Sequence, residues 1–190
     1  MTGQVDWQWK LREAVDTIRV RYDQIGRKTG APFLAIVYPP EAEAAVLREW
    51  HVLASTLRPE FDVQTVDVLE TTSAAVDELG CDNIVDAIAS PMPGSNPETE
   101  LAVLWINAVA SRVRNLATQG KGGRTVIALQ ALAALYPVAG PRDIMQQLWD
   151  SADAVVNVPV VMLIPGTLHQ RKVYSFLNCR DELMYRGDIL

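Results

Sequence analysis

The chain has 190 residues, of which 49% are hydrophobic and 21% charged, and its formal net charge is −6. This length suits a single domain with a substantial core, and the composition excludes a disordered or low-complexity chain. The negative charge argues against a broad nucleic-acid surface, which needs clustered Lys and Arg. The sequence shows no N-terminal apolar signal segment and no run of about 18 apolar residues, so we expect a cytoplasmic protein without a membrane span.

The first 30 residues are predicted to form an amphipathic helix. Its apolar side chains recur every three or four positions, which is the spacing of one helix face, and Gly26 and Gly30 are expected to end it. These apolar residues are Trp7, Leu11, Val15, Ile18, Tyr22 and Ile25. The apolar run from Phe33 to Tyr38 then has the length of a buried strand, which Pro39 and Pro40 stop.

The next 60 residues predict a helix, a strand and a divided helix. Residues 42–57 place apolar side chains on one side, whereas residues 61–69 alternate and are rich in β-branched residues. The helical pattern of residues 72–89 is weakened near Gly80. An internal loop rich in Pro, Gly and Ser follows at residues 90–97, where Asn96 is expected to cap a helix that begins at Pro97.

The segment TQGKGGRT at residues 118–125 resembles a phosphate-binding loop. Such a loop follows a strand and precedes a helix, but here a helical pattern comes first and the β-branched run from Thr125 to Gln130 follows. We therefore interpret the segment as a helix-to-strand turn. Gly120 is expected at the helix end with a positive φ angle, and Lys121 is expected to complement the negative end of the helix dipole.

The last third predicts a helix that begins at Pro141 and a fourth strand from Val158 to Ile164, closed by Pro165 and Gly166. Strands that alternate with long helices predict a single three-layer α/β domain with a mainly parallel sheet of four to five strands. Ligands of such sheets bind beyond the carboxyl ends of the strands. The candidates for a crevice there are Tyr38, Arg142, His169 and Arg171.

No catalytic or metal-binding motif stands out. The sequence lacks GxSxG, HExxH and GxxxxGK[ST], its two cysteines are Cys81 and Cys179, and its two histidines are His51 and His169. We therefore predict no catalytic residue, no metal, no cofactor and no disulfide framework. Asp67 at the end of the second strand is open to two interpretations: a general base or metal ligand, or a cap of the following turn.

The C-terminal third resembles the BrxB family of bacteriophage-exclusion (BREX) defence systems. The resemblance is carried by Leu135-Tyr136-Pro137, Arg142, Leu148, the run from Val158 to Gly166, Phe176-Leu177 and Met184-Tyr185-Arg186. It covers about 60 residues, whereas the first 120 match only in the order of elements. Two features depart from the family pattern, namely Gly187 after the Arg and Thr167-Leu168-His169 after the Pro-Gly pair.

The resemblance implies a small, non-enzymatic accessory subunit of an anti-phage complex. Its implied partners are a PglZ-like protein of the alkaline-phosphatase superfamily and, in the same system, an ATPase and a DNA methyltransferase. The family's sheet resembles a P-loop NTPase core without its phosphate loop, and Tyr38-Pro39-Pro40-Glu41 occupies the position of that loop. Prolines lack N–H donors and Glu41 repels phosphate, so the residues agree with this interpretation.

Three functions remain open at this point: an adaptor, an enzyme with a cryptic nucleotide or phosphoester site, and a subunit that contacts nucleic acid. The residue types favour the adaptor. The candidate partner-binding residues are Tyr174, Phe176, Tyr185 and Arg186, because aromatic residues and Arg are enriched at interface hot spots. The alternative is that this segment is an edge strand or helix that seals the core.

Overall fold

The computed structural model describes residues 3–25, 31–120, 124–150, 156–184 and 186–190. Helices and strands alternate through most of these ranges. They are α1 (Gly3–Arg21), β1 (Phe33–Tyr38), α2 (Glu43–Ser55), β2 (Phe61–Asp67), α3 (Val68–Leu79), α4 (Cys81–Ala89), α5 (Pro97–Gln119), β3 (Arg124–Gln130), α6 (Pro141–Asp150), β4 (Val160–Gln170), β5 (Val173–Phe176), β6 (Arg180–Leu183) and β7 (Asp188–Ile189).

The main sheet contains five parallel strands in the order β2-β3-β4-β1-β7. The central pair is β1 and β4, which stay in register from Phe33 opposite Val160 to Tyr38 opposite Pro165. A second, antiparallel sheet forms where β4 continues and pairs with β5, which pairs with β6. The predicted fold class, a mainly parallel α/β sheet, is confirmed.

The sheet is buried on both faces, which makes the fold three-layered. Alternate residues of β1 point to opposite sides, so that Phe33, Ala35 and Val37 join one core cluster and Leu34 and Ile36 join the other. The first cluster lies under α3, α5 and α6, and the second lies under α1 and α2. This double burial explains why β1, β3 and β4 have continuous apolar runs, whereas β2, most of whose residues are only partly buried, alternates.

The helix boundaries follow the sequence signals closely. Gly80 has a φ of +84° and separates α3 from α4, and the side chain of Asn96 accepts a hydrogen bond from the Thr99 N–H at 3.1 Å. The apolar face of α1 is buried as predicted. The predicted end of this helix is wrong: α1 ends at Arg21 and a 3₁₀ helix follows at Tyr22–Gln24, so the α-helix stops before Gly26 and Gly30, which lie outside the described residues.

α5 ends at Gln119 and β3 begins at Arg124, so the glycine-rich segment joins a helix to a strand, as predicted, but Gly120 does not have the predicted positive φ. Its φ is −52°, and a Cβ there would lie 2.5 Å from the Thr125 hydroxyl oxygen. Glycine is needed for this close approach and not for a left-handed backbone. Lys121 lies outside the described residues.

The predicted end of the fourth strand is wrong. β4 does not stop at Pro165 and Gly166 but extends to Gln170, because β5 folds back on it and supplies new backbone partners. Gly166 lies opposite Phe176, where a Cβ would collide with the Ser175 carbonyl oxygen. The Pro-Gly pair therefore does not end the strand. Gly166 instead allows β5 to approach β4 closely in the antiparallel pair.

Candidate partner-binding site

The turn after β1 offers few backbone donors to a phosphate. Pro39 and Pro40 have no N–H, and a short 3₁₀ helix begins at Pro40. Two of the N–H groups that follow are already used: that of Ala42 donates to the Pro39 carbonyl at 2.9 Å, and that of Glu43 donates to the Pro40 carbonyl. A phosphate loop needs free N–H groups at this position.

The carboxyl end of β2 is acidic. Asp67 at the end of β2 caps α3 by accepting from the Glu70 N–H at 3.0 Å, and its second oxygen accepts from the Gln130 side chain at 2.9 Å. Burial and the negative charge of Asp67 raise the pKa of Glu43. These are the hydrogen bonds of a helix cap, as one of the interpretations predicts, and the local charge opposes an anionic ligand.

The four crevice candidates do not converge on one site. Tyr38 is buried, and its hydroxyl donates to the Leu163 carbonyl at 3.4 Å. His169 and Arg171 are exposed on the β4–β5 hairpin, where the His169 ring lies 3.9 Å from the Asp181 carboxylate. Arg142 lies at the start of α6. The four residues are apart because β4 extends to Gln170. His169 on this extension, and Arg171 directly after it, therefore lie beyond the strand end that the sequence predicts.

Two of the four partner-binding candidates belong to the core. Tyr174 and Phe176 on β5 are each 0% exposed and pack in the cluster under α6. The prediction that they contact a partner is therefore corrected: this strand seals the core, because β5 lies between β4 and β6. Tyr185 lies outside the described residues, and Arg186 is exposed.

A buried carboxylate organises the region around β5, β6 and α6. Glu182 is 3% exposed, and its Oε2 atom accepts from the Tyr174 hydroxyl at 2.6 Å and from the Arg142 backbone N–H at 3.0 Å. Its Oε1 atom lies 3.3 Å from the Arg180 guanidinium, which also contacts Asp143 at 3.2 Å. Burial raises the pKa of Glu182 above its ordinary value, although the hydrogen bonds and Arg180 act in the opposite direction.

This network fixes the start of α6 against β6. Asp143 also accepts from the Gly140 N–H at 2.8 Å, so the turn before the helix is tied to the same set of groups. Gly140 must lack a side chain, because a Cβ would collide with the Glu182 carboxylate. The start of α6 is therefore held to β6 by a backbone hydrogen bond to Glu182 and by the Asp143–Arg180 ion pair.

The groove beside α6 is an open cavity lined by residue types that are enriched at protein interfaces, namely Trp, Met and Arg. Its volume is about 260 Å³. One face of α6 lines one side, and Phe33, Leu183 and Arg186 line the other. The lining residues of α6 are Arg142, Met145, Gln146, Trp149 and Asp150. Apolar surface in the centre and charged side chains at the rim are typical of protein interfaces.

Arg186 and Trp149 form the most exposed part of the groove. The Arg186 guanidinium lies over the Trp149 ring, 3.9 Å from its centroid, and Trp149 is 36% exposed. Gly187 follows with a φ of +96°, and a Cβ there would meet the Phe33 carbonyl and the Met184 side chain. The Gly187 departure from the family pattern thus has a local cause, since the chain passes directly over β1.

Several residues of the groove region were not predicted from the sequence. The sequence Arg180-Asp181-Glu182 predicts a solvent-exposed carboxylate at Glu182, because the two preceding residues are also charged. Trp149 belongs to the helix predicted from Pro141, and its place one turn beyond the buried Met145 on a helix with exposed polar residues is a usable signal.

No protein-family model matches the sequence, and no curated protein is significantly similar to it. The resemblance to the BrxB family therefore stays a prediction. No helix in the described ranges is long and apolar enough to cross a membrane. The same ranges contain no group of three or more His, Cys, Asp or Glu side chains arranged to hold a metal ion.

Proposed function

We propose that this protein is a non-enzymatic adaptor that binds another protein through the groove beside α6. The observation that carries the proposal is the exposed Arg186–Trp149 pair, which lines the groove together with apolar residues of α6 and β6. Trp and Arg are the residue types most enriched at binding hot spots, and a fixed scaffold lowers the entropy that binding costs.

The groove favours a partner segment with an apolar side chain flanked by carboxylates. Met145, Trp149 and Leu183 offer apolar surface, and Arg142 and Arg186 supply positive charge at the rim. Asp150, at the C-terminal end of α6, would repel a carboxylate of the partner at that end of the groove. The bound segment would therefore have one preferred orientation.

We further propose that the partner is the PglZ-like phosphatase-superfamily subunit of a BREX-type defence system, and that the protein works in the bacterial cytoplasm. This assignment rests on the C-terminal resemblance, which includes Arg186. The ATPase and the methyltransferase of the same system are further partners under this proposal. A nucleotide-binding role is disfavoured by the prolines after β1 and by the acidic strand ends.

Affinity purification of the tagged full chain, expressed with its native operon, tests the proposal. The test variant is Trp149→Ala with Arg186→Ala. The matched control is Trp9→Ala with Arg12→Ala, which makes the same substitutions on the exposed side of α1, where Trp9 is 55% exposed.

We expect the wild type and the α1 control to retain the PglZ-like subunit. The amount of this subunit recovered with the groove variant should be at least about tenfold lower, because hot-spot truncations cost about 2 kcal/mol or more of binding free energy. Thermal melts should show that both variants fold. Equal recovery of the partner by the folded groove variant, or recovery of no such partner by the wild type, would contradict the proposal.

A further inference from the structure

The hairpin formed by residues 77–100, here called the acidic hairpin, projects an uncovered apolar surface. It comprises the end of α3, all of α4, the loop at residues 90–96 and the start of α5. α4 contacts α3 and α5, yet none of its nine residues is buried. A helix in a folded domain normally buries one face, so this one is available to a partner.

The apolar residues of α4 follow helical spacing and are exposed, apart from the half-buried Ile84. Cys81, Ile84, Val85 and Ile88 recur at intervals of three and four along α4. Val85 is 55% exposed and Ile88 is 48% exposed. Leu79 before the helix is 52% exposed, and Met92 after it is 76% exposed. Together these side chains form an apolar stripe along the hairpin.

The charges around the stripe all have one sign. The exposed acidic residues of the hairpin are Asp77, Glu78, Asp82, Asp86, Glu98 and Glu100. Between Pro59 and Ser111 the chain contains ten Asp and Glu residues and no Lys, Arg or His. Six of these ten acidic residues lie in the hairpin, which accounts for the whole net charge of −6, so the remaining residues of the chain are neutral in sum.

We infer that the acidic hairpin is a second docking surface, which takes a basic amphipathic helix of a partner protein. An apolar stripe at helical spacing matches the apolar face of another helix, and the surrounding carboxylates match Lys and Arg on its flanks. Pairing with a second copy would bring like charges together, and nucleic acids and anionic membranes would be repelled. This inference extends the adaptor role but does not depend on the groove beside α6.

A designed peptide tests this chemistry directly. The probe is a fluorescent peptide of about 15 residues, long enough to form a helix, with Leu on one face and Lys on the other. A peptide with the same Leu positions and Glu in place of Lys measures the contribution of charge. A scrambled Leu-Lys peptide measures the contribution of amphipathic spacing, and fluorescence anisotropy gives the dissociation constant of each.

Two pairs of variants of the full chain separate the hairpin from the rest of the surface. Val85→Ser with Ile88→Ser removes the stripe, and Val20→Ser with Val52→Ser is its control at positions 76% and 60% exposed on α1 and α2. Asp82→Lys with Asp86→Lys reverses the charge of α4. Glu41→Lys with Glu49→Lys makes the same net change beside the opposite face of the sheet.

We expect the Leu-Lys peptide to bind the wild type and both controls with similar affinity, and to bind each hairpin variant at least tenfold more weakly. The Trp149→Ala, Arg186→Ala variant should bind it like the wild type, which separates this inference from the groove. Equal binding to hairpin and control variants, equal binding of the Glu or scrambled peptide, or a wild-type dimer that Val85→Ser with Ile88→Ser disperses would overturn it.

Discussion

Glu182 shows how one residue connects three parts of the chain. Its carboxylate joins Tyr174 on β5, the backbone at Arg142 on α6 and the Arg180 guanidinium on β6. Hydrogen bonds to a charged acceptor are stronger than neutral ones, but burying the charge opposes them. The balance leaves the pKa of Glu182 raised, so the protonated form is favoured more in the folded chain than in the unfolded chain.

This raised pKa predicts how stability depends on pH. The unfolded carboxyl loses its proton near its ordinary value of 4.5, whereas the folded carboxyl holds its proton to higher pH. The contribution of Glu182 to stability is therefore full below pH 4.5 and falls as pH rises through the folded pKa. Glu182→Gln removes this titration.

Melting temperatures measured from pH 4.5 upward check the prediction. The difference in melting temperature, Glu182→Gln variant minus wild type, should increase as the pH rises. This holds whether the difference is positive or negative at the lowest pH. Two curves that stay parallel across this range would show that Glu182 has the same pKa in both states.

Gly140 provides a second prediction at the scale of one residue. Gly140→Ala places a methyl group against the Glu182 carboxylate and should cost about 1–3 kcal/mol of unfolding free energy, as overpacking does. In the Glu182→Ala background the methyl group has room. The loss of unfolding free energy caused by Gly140→Ala should therefore be smaller there by at least about 1 kcal/mol. Denaturant unfolding of the four proteins in this double-mutant cycle measures the coupling. An identical cost in both backgrounds would mean that the carboxylate is not the obstacle.

At the scale of the element, α6 links the core to the groove. Ile144 and Leu148 are 0% and 2% exposed against the sheet, while Gln146 and Trp149 on the other side face the groove. Leu148→Ala should therefore cost about 2–5 kcal/mol. Gln146→Ala on the same helix serves as the control and should change stability by less than about 0.5 kcal/mol. A loss below 1 kcal/mol for Leu148→Ala, measured by urea unfolding, would place that residue outside the core.

The elements that the sequence predicts well are those with strong local signals. β1 is apolar throughout and is bounded by prolines, and the Asn96 cap with Pro97 marks the start of α5. The β5–β6 hairpin was not predicted, because four-residue strands such as Arg180–Leu183 carry charges and are stabilised by pairing with a distant segment. The groove was missed for the same reason, since Arg142, Leu183 and Phe33 meet only through the tertiary fold.

At the scale of the whole molecule, the two proposed binding surfaces have opposite chemistry. The groove beside α6 presents Arg142 and Arg186, whereas the acidic hairpin presents only carboxylates among its charged residues. An adaptor with two such surfaces can hold two partners without competition between them, because each surface repels the segment that the other attracts.

The molecule as a whole is also predicted not to bind ATP or GTP at micromolar concentrations. Pro39 and Pro40 lack N–H groups, and Glu43 and Asp67 place negative charge near the strand ends. Calorimetric titration of the purified chain with each nucleotide and Mg²⁺ should give no binding heat. A saturable micromolar isotherm would show that a phosphate site exists despite these features.

The measurement that tests the adaptor proposal most directly is a calorimetric titration of the purified PglZ-like subunit with the purified full chain. Wild type and the Trp9→Ala, Arg12→Ala control should bind with the same dissociation constant. The Trp149→Ala, Arg186→Ala variant should bind at least tenfold more weakly while its melting temperature stays close to that of the wild type. An unchanged dissociation constant for that variant, or no binding by the wild type, would contradict the account.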